Sequence, residues 1–492
     1  MSFGFPALRL RGLSLGIVTL ALAAAVEAVW FRNRDFTGGV DGATTAAPSL
    51  FGINLDVGSG LDFPRPAFGM LCLLVLVAVG VGVAVFRQSH YGSWAMAVRV
   101  NERAAAAAGI DVVRVKLGVF ALAAFIAGLG GALAAYRQGV ATFDLYSTLA
   151  GLGLFATVYL AGMTSISGGL LAGLLAANGL AFKALDDGLD LGEWYGAVTG
   201  LPLLAAVIAF PDGIVGPFHR AIAARRGGPA DADAAPKAPS TTELGLPWTT
   251  DTSEPGQVVL SATDVSVTYG KVVAVSAVSF TINAGTITGL IGPNGAGKTT
   301  LLDALTGFAP NDGVVSDHDG PVDHLSPTAR ARRGLSRTFQ SAQLCEQLSV
   351  EENLAIGLAA GGRQSDLLPI ATLLGLEAQM RHSVGDLPQG TRQMVSLGRA
   401  LAGRPNILLL DEPAGGLDSS ESALLGERLR RVRDSGITIV LVEHDMSLVL
   451  EVCDEIIVLD FGQVIATGTP SIVMTDALVT SAYLGRTGAA SE

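Results

Sequence analysis

The stretch Gly289–Thr300 reads GLIGPNGAGKTT, and few backbone arrangements satisfy it. The apolar run Thr286–Ile291 predicts a buried strand. Gly292, Pro293, Asn294, Gly295, Ala296, Gly297, Lys298 and Thr299 then fill the spacing G-x-x-x-x-G-K-[ST], with Thr300 following. Glycines let the chain wrap close to phosphates, so that several N–H groups converge on one anion. Lys298 is placed to reach the β/γ-phosphates and Thr299 to hold Mg²⁺. The run Leu301–Leu305 continues as a helix whose N-terminal dipole favours the anion.

The rest of 258–487 supplies a setting for that loop. Val258–Tyr269 and Lys271–Ile282 alternate as antiparallel strands about Tyr269-Gly270. Asn406–Leu410 predicts a second buried strand, ending in Asp411-Glu412 where a parallel sheet presents its ligands. There Asp411 would hold Mg²⁺ through water, and Glu412 would polarise the attacking water. Thr438–Val442 is a further buried strand delivering Glu443, His444 and Asp445, with His444 placed to touch the γ-phosphate.

Residues 1–220 are of a different kind. Half of the whole chain is hydrophobic and only 15% is charged, a profile of membrane spans. Apolar runs at about 13–31, 67–86, 117–136, 148–163, 168–185 and 195–210 predict six spans. The loop 87–116 carries Arg87, Arg99, Arg103, Arg114 and Lys116, which places it in the cytoplasm and loop 32–66 outside. The first run, with Arg9 and Arg11 before it, also fits a signal peptide. Glu27 within it is a pathway or helix-contact residue, or an acid snorkelling beside Trp30. In 95–116, Ala104–Ala108 predicts a short helix stopped at Gly109.

Residues 1–220 hold 13 Lys/Arg and 13 Asp/Glu, so the net charge of −12 lies entirely in the remainder. An acidic second half argues against nucleic acid as a partner. Cys72, Cys345 and Cys453 are scattered and form no disulfide or metal pattern, which fits a reducing compartment. Between the halves, 221–257 is rich in Ala, Pro, Ser, Thr and Asp without apolar periodicity, and predicts a flexible tether.

The second half resembles the ATP-binding subunit of ABC transporters. Beside the phosphate loop it shows ILLLDEP, SRTFQ before LSVEENL, Gly415-Gly416-Leu417-Asp418, and LVEHDM. The resemblance implies that Tyr269 stacks on adenine, that Gln340 joins Mg²⁺ to the membrane domain, and that Asp418 communicates across a dimer. The tail EHDMSLVLEVCDEIIVLDFGQVIATGTP with SRTFQ looks like the branched-chain amino acid importer branch. In the first half RLRGLSLGIVTLAL, TGGVDG, SLFGINLD and AMAVRVNERAAAAAGI look like the permease of the same class, the last being its coupling loop, near 95–110.

Three departures stand out. Where the family usually has LSGGQ, this chain has Leu387-Pro388-Gln389-Gly390-Thr391. Gly390 remains to face nucleotide, while Pro388 replaces a serine and removes a backbone donor. The site completed by this loop is therefore expected to hydrolyse slowly or to hold ATP structurally. The helical region after LSVEENL is short for the branch, at GLAAGGRQSDLLPIATLLGL. The permease half starts late relative to the family, so further spans are expected from another chain or from upstream sequence.

The expected architecture is multidomain. An all-α transmembrane permease domain (1–220) is joined by the linker 221–257 to an α/β P-loop NTPase domain of ABC type (258–487) with a small helical subdomain. The expected function is ATP-driven import of branched-chain amino acids, with ATP and Mg²⁺ as cofactors. The expected place is the cytoplasmic membrane, with the ATPase in the cytoplasm. Implied partners are the lipid bilayer, a second ABC ATPase, a second permease and an extracytoplasmic solute-binding protein. Import of urea or short amides, or a membrane-anchored regulatory ATPase, are the alternatives.

Overall fold

The computed structural model describes residues 13–46, 48–50, 52–58, 65–163, 165–176, 246, 248, 256–340 and 342–484. It divides into two compact units. One is Met1–Gln88 with Leu117–Ala230, and the other is Ser89–Lys116 with Asp231–Glu492. Through residue 176 the main helices are α1 (Leu13–Val26), α2 (Pro66–Gln88), α3 (His90–Val100), α4 (Glu102–Ala107), α5 (Val112–Gln138), α6 (Thr148–Gly162) and α7 (Ile166–Leu175).

The described long helices of the first unit are apolar around their circumference, and many of their large side chains face outward. Met70, Leu73, Leu74, Val77 and Val81 of α2 are all exposed. A helix apolar all round belongs in lipid or in a core. Among the described residues α2 and α5 are long and apolar enough to cross a membrane. Helices α1, α6 and α7 fall on three more of the expected spans but are shorter. The run 195–210 lies outside the described residues. The break between α6 and α7 has a local cause: Gly162 turns at φ +113°, and the Ser165 hydroxyl caps α7 by accepting from Gly168 N at 2.9 Å. Glu27 proves to be a helix contact. Its carboxylate accepts from Thr148 N at 2.8 Å, at the first turn of α6, and from Arg32 Nη2 at 2.9 Å. The loop 32–66, expected outside the cell, pairs with the segment after α5, Ala43–Thr44 against Val140–Ala141.

The second unit is built on a six-stranded and a four-stranded sheet. Their strands are β1 (Val258–Tyr269), β2 (Val272–Asn283), β3 (Ile287–Ile291), β4 (Asp312–Asp317), β5 (Gly320–Pro321), β6 (Leu335–Arg337), β7 (Ile407–Asp411), β8 (Thr438–Val442), β9 (Glu455–Asp460) and β10 (Gln463–Gly468). The main sheet runs β6-β7-β8-β3-β9-β10, parallel except for the last pair. The antiparallel sheet β2-β1-β4-β5 stands beside it. Its β1–β2 hairpin turns at Gly270, φ +62°. Strands β3, β7 and β8 are buried along their whole length, as their unbroken apolar runs predict.

Successive side chains point to opposite faces. Ile287, Leu408, Leu410, Ile439 and Leu441 join a core with the helices of one face, whereas Leu290, Leu409, Val440 and Val442 join the core beneath β1 and β2. The later helices are α8 (Lys298–Leu305), α9 (Pro327–Arg332), α10 (Val350–Gly357), α11 (Leu367–Leu374), α12 (Gln389–Leu401), α13 (Ser419–Asp434) and α14 (Met446–Val452). Helices α10, α11 and α12 make the helical subdomain. Their apolar side chains share one core in spite of the short sequence between LSVEENL and the signature loop.

The tether contributes to this core. Leu246 and Trp248 are buried in the cluster that includes α10–α12, and the Arg404 guanidinium lies 5.4 Å from the Trp248 ring centroid. Two large apolar side chains suffice for anchoring, so the lack of periodicity concealed it. Arg404 also grips Asp366 through two bonds, 2.7 and 2.8 Å. Asp366 has a side chain 1% exposed, against 25% for Arg404. Burial resists ionisation of Asp366, yet the Arg404 hydrogen bond and the Arg363 N–H hold its carboxyl below the usual carboxylate range. That stabilisation is present above the unfolded carboxylate value and fades as pH falls through the lower, folded one. Arg404→Ala removes the guanidinium and leaves the buried acid only the Arg363 N–H. Urea unfolding of the solubilised chain at neutral pH should show a loss of about 2–3 kcal/mol, less than for a fully buried pair, and the deficit should shrink as acid neutralises Asp366.

Candidate functional site

Strand order places three chemical ends together. The neighbours β7, β8 and β3 are parallel, so Asp411-Glu412, Glu443-His444 and the phosphate loop all leave the same edge of the sheet. The loop is shaped by its glycines. Gly292, Gly295 and Gly297 sit at φ +154°, +85° and +101°, values open to glycine but strained for other residues. A Cβ on Gly292 would run into the Leu459 carbonyl. Gly297 is the N-cap of α8, so Lys298, Thr299 and Thr300 form the helix's first turn. Ala296 packs into the core at 2% exposure, while Asn294, Gly295 and Thr299 face outward.

Lys298 is buried and folds over its own loop. Its Nζ donates to the carbonyls of Gly292 at 2.7 Å and Pro293 at 3.2 Å. Burial lowers the Lys298 pKa, while the charges of Glu412 and Asp411 work against that shift. Those two carbonyls are weak partners for an ammonium beside two acids, which leaves the lysine ready for phosphate.

Glu412 occupies the left-handed region at φ +49°, a strained setting of the kind that clusters at active sites. Its carboxylate is held from both sides. Gln340 Nε2 donates to Oε2 at 2.6 Å, and His444 Nε2 contacts Oε1 at 2.9 Å. An ionised carboxylate only accepts, so His444 carries its proton on Nε2 in this contact. The arrangement points a base at the edge where phosphate would lie, and gives it a histidine to fix its orientation.

Asp411 is buried beside it. Burial pushes its carboxyl above the usual carboxylate range, against the Arg337 guanidinium that bonds Oδ2 at 2.8 Å. Its other oxygen, Oδ1, is buried with no hydrogen-bond partner among the described residues. A buried acceptor left without a protein donor fits a divalent cation, and an oxygen-only set of Asp411 and Thr299 suits Mg²⁺.

The remaining expected residues lie at other edges. Tyr269 ends β1 with its side chain 52% exposed. Gly390 and Asp418 meet through one residue, Glu421. Asp418 caps α13, accepting from Ser420 N and Glu421 N at 2.8 Å each, and its own N–H donates to Glu421 Oε2 at 3.2 Å. A Cβ on Gly390 would strike that same Glu421 carboxylate. Pro388 is the N-cap of α12, where it offers no side-chain acceptor. The Ser420 hydroxyl holds the Asp418 carboxyl below its usual range.

Residues that sequence reasoning passed over also serve the site. Glu443 is 3% exposed and accepts from Ala414 N at 2.6 Å, pinning the turn after Glu412. Burial raises its pKa against three backbone N–H groups. Arg337 is buried between Asp411 and Asp303, which it meets at 2.8 and 2.5 Å. An arginine three residues before Gln340, at the end of a short buried strand, was the available signal.

The segment Ser89–Lys116 packs on this same unit. Helix α3 lies against α10, and α4 against α9. Ala97, Val98, Ala105 and Ile110 are buried with Cys345 and Ile356. Arg332 Nε donates to Gly109 O at 3.0 Å, and Thr328 Oγ1 to Ile110 O at 3.2 Å. The alanine helix lets backbones approach closely. Gly109 turns at φ +84°, with the Ala360 backbone where a Cβ would go.

A family model described as ABC transporter matches residues 275–415, and one described as branched-chain amino acid transport system / permease component matches residues 1–207. The chain is 34% identical over 251 residues to the high-affinity branched-chain amino acid transport ATP-binding protein LivG of Salmonella typhimurium, covering 46% of this chain and 98% of that protein. It is 35% identical over 234 residues to the lipopolysaccharide export system ATP-binding protein LptB of Escherichia coli, covering 46% and 97%. A crystal structure of a nucleotide-free ATP-binding cassette from an ABC transporter aligns with 46% of this chain and 99% of its own, at 27% identity and TM-score 0.43.

Two substitutions should separate binding from chemistry. Glu412→Gln keeps nucleotide affinity but should lower phosphate release by about 10²–10³-fold, the scale of a lost general base. Lys298→Ala should abolish binding of a fluorescent nucleotide.

Proposed function

The chain belongs to the ABC transporters, a branched-chain amino acid permease component joined to an ATP-hydrolysing domain in one polypeptide, and we propose that it imports branched-chain amino acids across the cytoplasmic membrane. The observation that carries the reading is the seat of the permease-type segment 89–116 on the ATPase unit of the same chain. That contact supplies a route by which nucleotide-driven movement reaches the spans. The permease match favours import; the ATPase alone does not decide direction, since it is as similar to a protein named for export as to LivG.

The residues of the site fit the following sequence. The phosphate loop's N–H groups and the α8 N-terminus bind the phosphates, and Lys298 gives up the Gly292 and Pro293 carbonyls for them. Mg²⁺ bound with ATP would neutralise phosphate charge, held by Thr299 and Asp411. Glu412 takes the proton of the attacking water, oriented by His444. Gln340, bonded to Glu412 and continuous with the strand that carries Arg337, reports the state of the base to the docked segment. Tyr269 stacks on the base of the nucleotide. Gly390 faces the nucleotide of a second ATPase subunit, and Asp418 lies at that subunit boundary.

The partners are a second ATPase, a second permease and an extracytoplasmic solute-binding protein. ATP hydrolysis by the complex in liposomes should rise when leucine-loaded binding protein is added. Steady hydrolysis that ignores every loaded binding protein would overturn import. Gly109→Val, which collides with Ala360, should leave basal hydrolysis in place and remove both the stimulation and solute uptake.

A further inference from the structure

A line of alternating charges runs from the docked segment into the nucleotide site. Arg103 Nη2 meets Asp303 Oδ2 at 2.6 Å; Arg337 Nη1 meets Asp303 Oδ1 at 2.5 Å; Arg337 Nη2 meets Asp411 Oδ2 at 2.8 Å. Asp303 therefore gives one oxygen to each arginine. The inner pair is dry, with the Arg337 and Asp411 side chains 1% and 3% exposed, whereas Arg103 is 41% exposed. Aromatic faces hold the arginines in line: Arg103 lies 4.9 Å from the Phe308 centroid, and Arg337 4.8 Å from Phe339. A small cavity bordered by Ala104, Ala107, Arg337, Ser396 and Arg399 lies between the docked segment and the inner guanidinium.

We infer that Arg103 is a positioning residue for the cation-holding carboxylate: seated on Asp303, it directs the Arg337 charge toward Asp411. Asp303 has one negative charge to share. With Arg103 in place, that charge is divided and Arg337 is spent on Asp411, so the carboxylate attracts a cation less. With Arg103 withdrawn, Asp303 claims Arg337, and Asp411 faces the nucleotide's cation with more of its own charge. Docking of the segment thus sets the cation affinity of the ATP site, and binding linkage makes the effect reciprocal. The inference rests on the reading of Asp411 as the carboxylate that faces the nucleotide's metal.

The test titrates Mn²⁺ by electron paramagnetic resonance into the full chain in nanodiscs, with a non-hydrolysable ATP analogue bound. Arg103→Ala should tighten Mn²⁺ about fivefold, the scale of one partly screened charge. Arg103→Lys should leave the midpoint in place. Asp303→Asn, nearly identical in shape, should weaken Mn²⁺ by a similar factor. Loosened packing alone would move Arg103→Ala and Asp303→Asn the same way, so opposite signs are the signature. Equal directions, or no shift while the unaltered chain binds Mn²⁺ normally, overturn the inference. Failure of the unaltered chain to bind Mn²⁺ with the analogue overturns the metal-site reading and the inference with it.

Discussion

Parallel pairing of β7, β8 and β3 sets everything that follows. In a parallel sheet all strands deliver their C-terminal residues to one edge, and neighbours deliver them about 5 Å apart. The phosphate loop, Asp411-Glu412 and Glu443-His444 are far apart in sequence but close at that edge. The apolar side chains that alternate between the two cores hold the strands in register, and a one-residue slip would turn those side chains to the wrong face. Catalytic geometry is therefore a by-product of core packing. Glu412 shows the cost: its backbone takes a strained left-handed conformation, tolerated because Glu443, Gln340 and His444 fix what surrounds it.

A second dependence runs through the residues around Arg337. It stands where the strand β6 ends, one residue from Thr338, whose hydroxyl oxygen accepts from Asp411 N, and three from Gln340, which holds Glu412. Both acids of the site thus have partners on one short segment. The docked segment packs on the same unit through Ala97, Val98, Ala105 and Ile110, and reaches Asp303 through Arg103. A close-packed apolar contact of this kind transmits displacement, because interiors have little free volume to absorb it.

Local pattern made much of this legible. Glycine spacing identified the phosphate loop, and unbroken apolar runs identified β3, β7 and β8, because burial on both faces leaves a mark in sequence. Ala104–Ala108 and Gly109 gave the short helix and its stop, as α4 shows. Long-range pairings left no such mark. Nothing around Asp303 announces an arginine 200 residues earlier, and Leu246 and Trp248 read as part of a polar tether until their burial is seen. The short helical region gave no hint that α10–α12 share their core with two residues supplied from the tether. Glu27 had two readings on sequence, and only the position of Thr148 separates them.

The seat of residues 89–116 lies within one polypeptide together with the surface that receives it. Association of this kind obeys effective concentration, not expression level. A tethered partner is present at roughly millimolar strength however few molecules the cell makes. The interface can therefore be small, built from a few apolar side chains and a handful of bonds, and still be occupied at any dilution. Weak contacts also release quickly, so an interface that need not guard against loss of its partner is free to be made and broken in every cycle.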